Sequence, residues 1–137
     1  MIIVLCLDNN NGMLFNNRRQ SRDSKVIDDL IDYADGRKIL INNFSSDLFS
    51  DNVYIDDGFL DIAKNKDICF VENKEIEEYL SQCTKLIIYR WNKCYPFDFS
   101  FNVDVINSDF LIDSTKDFVG TSHEKITRDI YINVKAE

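Results

Sequence analysis

The sequence predicts one three-layer α/β domain over residues 1–137, built on a mixed, mostly parallel sheet that ends in an antiparallel C-terminal hairpin. Three observations predict it. Ile2–Leu7, Lys38–Ile41, Val53–Ile55, Ile68–Val71 and Leu86–Trp91 are short, apolar and rich in β-branched residues. They show little alternation, as in strands covered on both faces. Amphipathic stretches separate them, the spacing of parallel strands joined by crossovers. Lys125–Val134 alternates instead, with Ile126, Ile130, Ile132 and Val134 separated by polar residues, the pattern of a hairpin partner or edge strand.

Taken in order, Ile2–Leu7 opens the sheet. Ser21–Ala34 follows as a helix with Val26, Ile27, Leu30, Ile31 and Ala34 on one face and Asp28, Asp29 and Asp32 on the other. Gly36 is a natural stop for it. After Lys38–Ile41 and Val53–Ile55, a short amphipathic piece spans Phe59–Lys64. Lys74–Cys83 reads as a second helix, turning Ile76, Tyr79, Leu80 and Cys83 inward. Beyond Trp91 the chain is aromatic and irregular through Tyr95–Phe99, and Val103–Ile106 and Phe110–Ile112 read as short strands.

Composition excludes several functions. Lys+Arg 16 against Asp+Glu 24 gives a net charge of −8, so nucleic acid and anionic membranes are poor partners. No apolar run is long enough to span a bilayer, and the N-terminus lacks the basic start and cleavage site of a signal peptide. A cytoplasmic location is expected. Cys6, Cys69, Cys83 and Cys94 have no paired spacing and there is 1 His, so no metal is expected and the thiols read as reduced. His123, in the polar string Thr121-Ser122-His123-Glu124, reads as solvent-exposed. No nucleophile–base pair or phosphate loop can be picked out. With 4 Gly, glycine-lined phosphate sites start at a disadvantage.

Several strings, in this order, carry a family resemblance. Leu7-Asp8 with Asn9-Asn10-Asn11-Gly12-Met13 resembles the opening strand and loop entry of the dihydrofolate reductases. Gly36–Phe49 resembles their segment running through the first cofactor-binding turn. Asp67–Val71 with Glu72–Leu80 resembles the strand and helix around their Gly-Gly pair. Thr84–Tyr89, Asp98–Phe101 and the last strand resemble the remainder. The resemblance spans nearly the whole chain and implies the dihydrofolate-reductase-like fold.

Members of that family reduce dihydrofolate with NADPH, so the matching positions can be inspected for that chemistry. The resemblance places cofactor binding at Asn43, Ser45 and Asn73, and the substrate cleft at Ile27, Leu30, Val71 and Tyr89. The contents do not match. The family's Gly-Arg-x-Thr turn reads Asn42-Asn43-Phe44-Ser45, so its cation is lost and only the hydroxyl of Ser45 is kept. The Gly-Gly pair reads Glu72-Asn73, which brings a carboxylate toward the pyrophosphate. The bonding Thr becomes Tyr89, and the folate-binding Arg falls near Ser50. The catalytic acid falls at Asp23 counting from Gly12 and at Val26 counting from Gly36, so the register stays open. An acid there would have its pKa raised by an apolar site; Asp23 reads equally as the helix cap.

Other features have plain readings. Arg18, Arg19 and Arg22 read as solvated loop residues paired with aspartates. Trp91, Tyr95, Phe97, Phe99 and Phe101 read as a packing layer.

The expectation is a dihydrofolate-reductase-fold protein that has lost the usual NADPH site and acts as a non-catalytic or altered-activity binding protein. Its partner would be a small molecule or a basic protein, with no cofactor, nucleic acid or membrane. The alternative is a divergent NADPH-dependent reductase of dihydrofolate or a flavin precursor, with Asp23 as acid, Ser45 on phosphate, and Arg18 or Arg22 as replacement cation.

Overall fold

The computed structural model describes residues 1–106 and 108–136. The elements are β1 (Ile2–Leu7), β2 (Gly12–Phe15), β3 (Arg18–Arg19), α1 (Ser24–Ala34), β4 (Ile39–Ile41), β5 (Val53–Ile55), α2 (Phe59–Ile62), β6 (Ile68–Phe70), β7 (Lys85–Arg90), β8 (Phe99–Ser100), β9 (Phe110–Phe118) and β10 (Ile126–Asn133). The main sheet runs β5-β4-β6-β1-β7-β10-β9. β1 is central, parallel to β6 on one side and to β7 on the other. β10 runs antiparallel to β7 and forms the C-terminal hairpin with β9. This is the mixed sheet the sequence predicts.

The unbroken apolar runs have a direct cause. Along β1, Ile3, Leu5 and Leu7 join one core with Leu86, Ile88, Val71, Phe59 and Leu80. Ile2 and Val4 join a second core with Val26, Leu30, Ile41, Phe70 and Ile87. Successive side chains point to opposite faces, and both faces are covered, so alternation disappears. α1 covers the second face. Its buried residues Val26, Leu30 and Ala34 recur every four positions.

α1 starts later than the periodicity suggests. Asp23, extended at φ −154 and ψ 125, caps it and accepts from the Lys25 N–H. The helix ends at Asp35, left-handed at φ 48, one residue before the left-handed Gly36. Most left-handed positions elsewhere fall to asparagine: Asn11, Asn16, Asn17, Asn52 and Asn92 have positive φ, and Lys66 is the exception among the described residues. Asn tolerates that region best after glycine, so a glycine-poor chain still makes its turns.

Three expectations need correction. The segment Lys74–Cys83 is not an α-helix but a 3-10 turn over Glu77–Gln82. Ile76, Leu80 and Cys83 are buried as their spacing implies, but Tyr79 N–H bonds Ile76 O and Cys83 N–H bonds Leu80 O, which is three-residue winding. Entry into β7 at Lys85 leaves no length for a further turn. Val103–Val105 is also a 3-10 turn rather than a strand, because the Asn102 side chain accepts from the Asp104 N–H and caps it. The strand expected at Phe110–Ile112 continues to Phe118, templated along its length by β10. A second sheet, β3-β2-β8, was not expected at all. It rests on Asn16-Asn17, whose φ values of 51 and 60 make the two-residue turn that joins β2 to β3.

Candidate functional site

A cleft of about 380 Å³ opens beyond the carboxyl ends of β1, β6 and β7, the usual ligand position in parallel sheets. Cys6, Phe70 and Trp91 form its floor. Val26, Ile27 and Ile31 of α1 form one wall, and Leu48 and Phe49 the other. Phe49 is fixed edge-on against Phe70, ring centroids 5.5 Å apart. Ser21, Asp28, Asp47 and Glu72 bring polar groups to the rim. Burial, reinforced by the charge of Glu72, pushes the Cys6 thiol well above its ordinary value.

One end of the cleft is closed by a charged cluster. The Asn16-Asn17 turn returns the chain so that Arg19 reaches Glu72 with two parallel bonds, Nε to Oε2 at 2.9 Å and Nη2 to Oε1 at 3.0 Å. Ser45, fully buried, donates its hydroxyl to Glu72 Oε1 at 2.7 Å. Arg19 also forks onto Asp47 with two bonds of 2.9 Å, donates to Phe44 O, and lies over the Phe44 ring at 5.3 Å. Hydrogen bonding to Glu72 raises the guanidinium pKa further, and Arg19 holds Asp47 below the usual carboxylate range. Beside them, Asn42 Nδ2 donates to Asn73 Oδ1 at 2.8 Å. Asn43 is exposed, its N–H bonded to Asp57. The sequence-predicted positions Ser45 and Asn73 thus spend their side chains on Glu72 and Asn42. Reading Arg19 as a solvated loop residue is corrected: it is the keystone of a largely buried ion pair.

The other end carries Asp23, its side chain fully enclosed. The carboxylate accepts from the backbone N–H groups of Thr121 and Ser122 at 2.9 Å each and from that of Lys25 at 3.0 Å. His123 Nδ1 lies 2.9 Å from Asp23 Oδ2. Burial opposes ionisation, but the bonds from Thr121, His123, Ser122 and Lys25 outweigh it and hold the carboxyl far below its usual range. Asp23 is therefore a fixed anion, the reverse of the raised-pKa acid that the resemblance implies. Gly120 makes the close approach possible, because a Cβ there would collide with the Asp23 carboxylate.

His123 is the second correction here. It is buried, 4% exposed, and stacks on Trp91 with ring centroids 4.6 Å apart. Its Nε2 meets Ser21 Oγ at 3.0 Å and Tyr95 Oη at 3.1 Å. Ser21 lines the cleft. A nucleophile-type hydroxyl, an imidazole and a carboxylate thus stand in series where none could be picked out of the sequence. Asp23 and His123 are 100 positions apart, and no local pattern joins them.

Of the residues expected to line the cleft, Ile27 does so. Leu30 and Tyr89 are enclosed in the core beneath α1, and Val71 belongs to the core on the opposite face of the sheet. Tyr89 donates its hydroxyl to Asp29 at 2.6 Å, and Lys116 and Arg128 hold the same carboxylate. Its bulk is thus absorbed by a polar network behind the helix. Among the described residues no His, Cys, Asp and Glu group could hold a metal ion, and no helix is long and apolar enough to cross a membrane.

The chain superposes on the dihydrofolate reductase of Enterococcus faecalis, solved with NADP(H) and RAB-propyl, at a TM-score of 0.67. The match covers 96% of this chain and 94% of that one at 8% sequence identity. That likeness establishes the dihydrofolate reductase fold. No family model and no curated protein matches the sequence.

Proposed function

We propose that this chain is a dihydrofolate-reductase-fold protein that does not use a dinucleotide in the way the reductases do, and that its cleft takes a small, flat, largely apolar molecule. The observation that carries the reading is the Arg19–Glu72–Ser45 cluster. At the positions where the resemblance puts a pyrophosphate, the hydroxyl and cation that could receive it are committed to a buried carboxylate. A phosphate would have to displace Glu72 from both partners and leave its charge enclosed, which costs about 3–5 kcal/mol. The state of Asp23 points the same way, since a carboxyl held ionised by several donors has no proton to deliver to a pterin.

The remaining cleft suits small-molecule binding in volume and in its apolar floor with a few polar groups at the rim. The net charge of −8 would also suit a basic protein, but a formed cleft favours the small molecule.

Trp91 is the only tryptophan and lies in the cleft floor, so its fluorescence reports occupancy. Titration with a neutral planar heterobicycle such as quinazoline is expected to quench it saturably, and Ile27→Tyr, which fills the cleft from α1, to abolish that quenching. NADPH and NADH are expected to leave a calorimetric titration flat. Hydride transfer to dihydrofolate would overturn the proposal.

A further inference from the structure

We propose that Ser21, His123 and Asp23 form an acyl-transfer site at the mouth of the cleft, with Ser21 as nucleophile toward short-chain carboxylic esters. The proposal rests on the reading above in one respect, that the cleft admits a small molecule. Its basis is the series of contacts Asp23 Oδ2 to His123 Nδ1 at 2.9 Å and His123 Nε2 to Ser21 Oγ at 3.0 Å. An enclosed carboxylate that only accepts fixes the imidazole proton on Nδ1 and leaves the Nε2 lone pair facing the serine hydroxyl. Stacking on Trp91 and the Asp23 bond hold the ring in that orientation. Tyr95 Oη reaches the same nitrogen at 3.1 Å and Ser21 Oγ at 3.4 Å, so it supports the serine from the side. Of the two hydroxyls, Ser21 is the one that lines the cleft.

The elements explain why these groups meet. Ser21 and Asp23 flank the start of α1, the second as its cap. His123 arrives from the loop 119–125 between β9 and β10, drawn in by the Thr121 and Ser122 N–H bonds to Asp23 and by the close approach of Gly120. Arg22, exposed and paired with Asp47 at only 3.5 Å, borders the cleft next to Ser21. Its guanidinium is the cation placed to meet a tetrahedral oxyanion, the amino end of α1 being taken up by the Asp23 carboxylate.

The chemistry balances with water as the second reactant. Ser21 Oγ bonds to the acyl carbon as its proton passes to His123 Nε2. The acyl carbon–oxygen bond to the leaving group then breaks, and His123 returns the proton to that oxygen, releasing an alcohol and leaving an acyl-serine. Water adds to the acyl carbon while giving a proton to Nε2. The Oγ–carbon bond breaks, Ser21 regains the proton, and a carboxylic acid departs. Asp23 does not gain a proton; it is a positioning residue, acting through His123.

The test uses the whole chain, a biotinylated fluorophosphonate and p-nitrophenyl acetate. Stoichiometric phosphonylation is expected, located at Ser21 by peptide mass spectrometry and absent in Ser21→Ala. That variant should lose at least about 100-fold in kcat/KM while keeping its melting temperature. Because His123→Gln could unfold the loop, Ser21→Cys is the second variant: its alkylation rate by iodoacetamide should rise with pH along a low-pKa profile. Absence of labelling at Ser21, or hydrolysis equal in wild type and Ser21→Ala, would overturn the acyl-transfer site. Retained quinazoline quenching in that case would leave the cleft-binding reading standing, whereas loss of quenching in the wild type would overturn that reading instead.

Discussion

At the scale of single residues, two buried charges set the character of the site, and each makes a prediction. Asp23→Asn removes the charge that binds three backbone N–H groups and His123. Chemical denaturation at pH 7 should show a loss of about 2–3 kcal/mol. The folded-state pKa lies below the unfolded one, so the ionised form stabilises the fold above about pH 4. That contribution fades as the pH falls through the folded value. The gap between wild type and Asp23→Asn should therefore be full at neutral pH and narrow below about pH 4. Arg19→Met strands Glu72, 9% exposed, without its cation and should cost about 3–5 kcal/mol. Adding Glu72→Met should recover most of that loss, and a double-mutant cycle by denaturation would measure the recovery. Asp23 was readable in the sequence as a helix cap, because an Asp just before an amphipathic run has that local role. Its second role was not, since His123 lies 100 residues away and only the fold brings it there.

At the scale of elements, turns decide where the functional groups go. The Asn16-Asn17 turn sends Arg19 back to Glu72. Asn17→Val puts a β-branched residue at a positive φ and should cost about 1–2 kcal/mol. It should also loosen Arg19, visible as faster amide exchange at β3. Gly120→Ala should push the β9–β10 turn off Asp23 and lower the melting temperature, the second readout being altered His123 ring signals in NMR. Strands β1, β4, β6 and β7 are legible because a strand buried on both faces writes an apolar run into the chain, and β10 because its residues alternate. The second sheet was hidden because β3 is two residues long and its turn uses Asn-Asn rather than a glycine pair. The segment Lys74–Cys83 is ambiguous for the opposite reason. Its inward spacing suits a 3-10 turn as well as an α-helix, and only the length left before β7 separates them.

Across the whole molecule, the scarcity of glycine falls into two parts. Asparagine takes over the turn conformations, which the fold keeps. At the positions where the resemblance places phosphate-binding glycine, the side chains are engaged within the protein: Asn42 with Asn73, and Glu72 with Arg19 and Ser45. The dihydrofolate reductase fold, recognisable at a TM-score of 0.67, thus surrounds a cleft with an ion pair at one end and Asp23 and His123 at the other. Isothermal titration with NADPH tests this account most directly, run on the wild type and on Ser45→Ala. The account predicts no heat of binding for either protein, with any affinity weaker than about 1 mM. A micromolar affinity in the wild type that Ser45→Ala weakens would contradict it.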